Sequence, residues 1–147
     1  MRGSDYIVTG MVLANSHRQV SMEYMISTLR EKLDNEGYEG IFLATEDSDI
    51  LARMREAFPE KLRAVSQERY SVSDFTDVEY ITDLDRKKHA ESERERALDD
   101  ITGNYMYALY TLSRCDLVMA SGASSGFFFV RELSQSGIEP FILRQQE

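Results

Sequence analysis

Two rhythms alternate along this chain: apolar residues spaced three and four apart among charges, and short apolar runs with no polar residue between them. Gln19 to Glu36 carries Met22, Met25, Ile26, Leu29 and Leu33 at helical spacing, with Gly37 placed to stop the element, and predicts a surface helix. Gly40 to Ala44 is continuously apolar, as in a strand covered on both faces. After the polar segment Thr45–Asp49, a second helix is predicted from about Ser48 through Ile50, Leu51, Met54 and Phe58, closed by Pro59. Leu62 to Val65 reads as a short strand, and Ser66 to about Glu91, polar and irregular, as a surface loop. Helical spacing resumes from Arg94 to Ser113 through Ala97, Ile101, Tyr105, Ala108, Leu109 and Leu112, and Gly103 weakens its middle by about 1 kcal/mol relative to alanine. The remainder predicts a strand over Leu117 to Ala120, a helix from Ser125 to Ser136 with Gly137 as its stop, and a last strand from Pro140 to Leu143.

Alternating strands and helices predict an α/β fold with a right-handed parallel sheet, in which ligands lie beyond the carboxyl ends of the strands. The loops after Ala44 and Ala120 are therefore the ones to watch. In the second, Ser121–Ser125 would present backbone N–H groups and hydroxyls at a helix amino terminus, where anions are favoured. Two readings are open for it: a diphosphate cradle, or an ordinary turn and cap. The amino terminus is also ambiguous. Arg2–Tyr6 resembles the turn after a strand although only Met1 precedes it, so either a first strand is lacking or Ile7 to Leu13 supplies it. A lacking strand would leave a sheet edge open to a second chain and favour a homodimer.

The 147 residues suit one domain, spanning 1–147, and 42% hydrophobic content is ordinary for a globular protein. Seventeen Lys and Arg against 26 Asp and Glu give a net charge of −9, which disfavours broad attraction to nucleic acid or anionic lipid. Any anion must be held by local groups. Cys115 has no disulfide partner and no nearby His or second Cys that would suggest a metal site, so core packing is expected of it. His17 and His89 are isolated, and Arg86–Lys88 reads as a solvated charge cluster or a contact for an anionic acceptor. Phe127–Phe129, Tyr105, Tyr107 and Tyr110 are expected in the core or between helices. No apolar run approaches the length of a membrane span and no signal-peptide pattern opens the chain, from which a cytoplasmic location is expected.

Three segments arrive in order: Arg2-Gly-Ser-Asp-Tyr6; Ile41-Phe-Leu-Ala-Thr-Glu-Asp47; and Leu112-Ser-Arg-Cys-Asp116 followed by Ser121-Gly-Ala-Ser-Ser-Gly126. Together they resemble the three motifs of the donor-binding domain in the fucosyltransferase superfamily of α-1,6-, nodulation and protein O-fucosyltransferases. Gln67–Ser71 is similar to bacterial members of that group. The resemblance implies a Rossmann-like sheet corresponding to the carboxyl-terminal half of a GT-B glycosyltransferase, without the acceptor domain. It implies fucose, or a related sugar, passed from a GDP-sugar such as GDP-fucose to a hydroxyl of a glycan or other acceptor. The family's His-x-Arg strand end is not present before Gly3, where Met1 stands in place of the strand end.

By this resemblance Arg2 contacts the donor diphosphate, where a guanidinium gives paired hydrogen bonds and neutralises charge on departing GDP; it is the sole catalytic candidate. Asp5 either orients Arg2, holds a ribose hydroxyl or caps the next element. Thr45, Glu46 and Asp47 stand where side chains reach the crevice, with Asp47 the best motif match; Glu46 and Asp47 are equally suited to cap the following helix. Ser124, Ser125 and the Gly126 backbone would complete the cradle, the glycine allowing close approach of the main chain. Asp116 precedes its strand and reads as a turn residue. No obligatory metal or cofactor is implied: Asp47 and Asp49 have Asp-x-Asp spacing, but Asp49 is expected to face outward. The alternative is a non-catalytic nucleotide-binding or interaction module.

Overall fold

The computed structural model describes residues 6–10, 21–71, 93–120, 125–134 and 141–142. Its elements alternate as the apolar pattern predicts: β1 (Tyr6–Gly10), α1 (Met22–Asn35), β2 (Gly40–Leu43), α2 (Ser48–Ala57), β3 (Leu62–Ala64), α3 (Arg94–Leu112), β4 (Leu117–Ala120), α4 (Ser125–Leu133) and β5 (Phe141–Ile142). The five strands form one parallel sheet in the order β3-β2-β1-β4-β5.

Local chemistry sets the element ends. Ser21 caps α1 by accepting from the Tyr24 N–H, and Gly37 follows the helix at φ 76°, a left-handed conformation that glycine adopts without Cβ strain. Asp47 caps α2, while Phe58 and Pro59 end it. Side chains then alternate across the sheet with the two-residue period of a strand. Ile41, Leu43 and Met119 face one layer with Met25 and Leu29 of α1 and Leu51 and Met54 of α2. Phe42 and Val118 face the other, with Leu109 and Leu112 of α3 and Val130 of α4. Both faces of the sheet are thus covered by helices, which is why its strands read as unbroken apolar runs.

The amino-terminal ambiguity resolves to the second alternative, with shifted bounds. Tyr6–Gly10 is the central strand, pairing Ile7 with Ile41 of β2 and with Leu117 of β4. The gap that would have invited a second chain at the centre of the sheet is therefore filled, and the expectation of a dimer through it is withdrawn. Strand direction has a further consequence. Tyr6 begins β1 at the rim formed by the amino ends of the strands, and the segments after Leu43 and Ala120 leave from the opposite rim. Among the described residues no helix is long and apolar enough to cross a membrane.

The aromatic residues of α3 and α4 correct the sequence reading. Tyr107 and Tyr110 are about 60% exposed, and Phe128 and Phe129 are also exposed, because these helices turn Ala108, Leu109, Leu112 and Val130 toward the sheet; Tyr105, though partly exposed, lies between α3 and α4 against Gly126, as expected. Cys115 is buried, as expected, and its thiol donates to the Thr111 carbonyl at 3.4 Å.

Candidate functional site

A cavity of about 330 Å³ opens at the carboxyl-end rim, within the size range of small-molecule sites. Its floor is the ends of β2 and β4, at Leu43, Ala44 and Val118–Ala120. Its outer wall is the inner side of α3, from Tyr105 to Leu112, and the start of α4 at Gly126, Phe127 and Val130. Thr45, Glu46, Gln67 and Arg69 supply the polar side. In the order β3-β2-β1-β4-β5 the chain winds outward in both directions from β1, so the cavity lies where an open parallel sheet leaves a crevice between diverging connections.

Thr45 is buried and its hydroxyl accepts from the Asp47 N–H at 3.1 Å, fixing the turn out of β2. Asp47 accepts from the Asp49 and Ile50 N–H groups at 2.7 and 3.1 Å, is buried, and does not line the cavity. Of the two roles open to it, helix cap is the one its geometry fulfils. Glu46, by contrast, lines the cavity, and burial raises its carboxyl above its ordinary value, with no compensating cation beside it among the described residues. Asp49 is exposed, as expected, and accepts from the Ser71 hydroxyl at 2.7 Å.

Gly126 also lines the cavity, but its missing Cβ serves packing: a methyl group there would stand 2.8 Å from the Tyr105 hydroxyl and 3.2 Å from Leu109. Ser125 is the first residue of α4. Arg2, Asp5 and Ser124 lie outside the described residues, as do His17, Arg86–Lys88, His89 and Gly137. The structure thus brings Thr45, Glu46 and Gly126 to one cavity and withdraws Asp47 into a cap.

Arg69 is the cavity residue to which the sequence assigned no role. Its guanidinium donates from Nε to the Thr45 carbonyl at 2.9 Å, from Nη1 to Gln67 at 3.2 Å and from Nη2 to Val65 at 2.6 Å. These bonds tie the segments leaving β2 and β3 together, alongside a bridge between Asp47 and Tyr70. An arginine in a short irregular segment carries no periodicity, and only the similarity of Gln67–Ser71 to bacterial sequences drew attention to it. Among the described residues no group of His, Cys, Asp and Glu is arranged to hold a metal ion. The chain matches no protein-family model and no curated protein sequence.

Proposed function

We propose that the chain binds a GDP-sugar, GDP-fucose or a related one, in the carboxyl-end cavity, as a Rossmann-like domain resembling the donor half of a GT-B glycosyltransferase. One observation carries this: Thr45 and Glu46, from the second motif, and Gly126, from the third, line a single cavity although about eighty residues separate them. Glu46 offers an acceptor for ligand hydroxyl or N–H groups, and α4 begins beside the cavity with a helix terminus suited to phosphate. Transfer of the sugar to a glycan hydroxyl is the enzymatic form of the proposal, with Arg2 assisting departure of GDP.

Binding without transfer is the second form, and strand direction favours it. Tyr6 starts β1 at the rim opposite the cavity, and Arg2 precedes it by four positions. Calorimetric titration with GDP followed by a donor-hydrolysis assay separates the two. Binding with turnover that Arg2→Ala abolishes supports the transferase. Binding that Arg2→Ala leaves intact, without turnover, supports the module. No binding of GDP at millimolar concentration rejects both.

A further inference from the structure

Two side chains of opposite charge line the cavity without pairing with each other. A guanidinium has five N–H donors, and Arg69 spends three on the carbonyls of Thr45, Val65 and Gln67, leaving two uncommitted among the described residues. Among the described residues the charged neighbour that bears on Arg69 is another cation, Arg55, and no carboxylate offsets it. Glu46 has no side-chain partner among the described residues, although the Tyr70 N–H donates to its backbone carbonyl at 2.9 Å and so sets its segment beside that of Arg69. Partly buried polar groups with unused hydrogen-bonding capacity are costly unless water or a ligand completes them. The rest of the wall is mainly apolar, including Leu43, Val65, Leu109 and Leu112, with Thr45 and Gln67 as further polar side chains.

We infer that Arg69 is a ligand-contacting residue of this cavity: its two uncommitted N–H groups take an oxyanion of the ligand, while Glu46 accepts from a separate N–H or O–H on the same molecule. The ligand class is an amphipathic small molecule with an apolar or planar body, an anionic oxygen and a hydrogen-bond donor. The inference concerns the cavity assigned above to a GDP-sugar, and names a chemistry that can be tested without a nucleotide.

Anilinonaphthalene sulfonate combines a planar apolar body, a sulfonate and an N–H donor; N-phenylnaphthylamine is the same molecule without the sulfonate. Fluorescence titration of the full chain is expected to show tighter binding of the sulfonate than of the neutral analogue. Arg69→Gln should weaken the sulfonate by about tenfold or more, since even one of the two charge-assisted hydrogen bonds is worth that much, and leave the neutral analogue unchanged. Because Arg69 also ties backbone segments together, a second measurement uses the unaltered protein: the guanidinium N–H resonances of Arg69 should shift with the sulfonate and not with the neutral analogue. Arg69 resonances indifferent to the sulfonate, or a folded Arg69→Gln chain that retains the preference, would overturn the inference. Displacement of the sulfonate by GDP tests the nucleotide proposal separately. Failure of GDP to displace it rejects that proposal while Arg69 is still judged by the two dyes.

Discussion

Gly126 and Tyr105 are packed so closely that a Cβ at residue 126 would meet the tyrosine hydroxyl at 2.8 Å. The start of α4 approaches α3 at this distance because residue 126 has no side chain. Tyr105 is half-exposed and can swing aside, but Leu109, 3.2 Å from the same point, is buried and has to give. Overpacking of this kind costs roughly 1–3 kcal/mol, and alanine recovers about 1 kcal/mol of helix propensity over glycine. Gly126→Ala should therefore destabilise the chain by about 1 kcal/mol in urea unfolding. In a Leu109→Ala background, which removes the atom that has to give, most of that loss should disappear. Equal losses in both backgrounds would show that Gly126 and Leu109 are not coupled.

Asp47 is a cap, and its removal should be felt in stability. Asp47→Ala leaves the Asp49 and Ile50 N–H groups without their acceptor at a buried helix start, a loss of about 1–2 kcal/mol. Asp47→Asn keeps an acceptor oxygen and should lose less than half of that. An alanine variant with an unchanged unfolding midpoint would contradict this role.

Glu46 makes stability depend on pH in a known direction. Burial raises its folded pKa above the unfolded value, so the folded state disfavours the ionised form. Below the unfolded pKa both states are protonated and the group is neutral in the balance; as pH rises through the raised folded pKa, stability is lost. Glu46→Gln should then melt at a higher temperature than the parent at pH 7, and the difference should vanish near pH 3, below the usual glutamate range. A melting difference that is constant between these pH values would reject burial as its origin.

Cys115 should be chemically silent in the native protein. Burial, with the neighbouring Asp116 carboxylate, pushes its thiol up to about 12, and it is the thiolate that reacts. Alkylation by iodoacetamide at pH 8 should follow the unfolding rate and rise sharply in denaturant. Rapid labelling under native conditions would place the thiol in an open environment.

Much of the fold was legible because its signals are local. Met25, Leu29 and Leu33 mark α1 by spacing, Asp47 and Pro59 bracket α2, and Leu117–Ala120 has no polar residue to place at a surface. The candidate site was legible only in part. Thr45, Glu46 and Gly126 lie at strand and helix ends that the pattern predicts, whereas Arg69 reaches the Thr45 carbonyl across 24 positions of sequence, and no local rhythm announces such a bond.

By itself, then, the order of residues determined, outside the amino-terminal strand, which segments become helices and strands and that they alternate, since spacing, caps and breakers act within a few residues of one another. Tertiary structure decided which strand lies at the centre, that Glu46 lines the cavity, that Gly126 makes room for a tyrosine, and which faces of α3 and α4 stay exposed. Those outcomes depend on contacts between residues far apart in the chain, and each is set by the packing of the assembled sheet and helices.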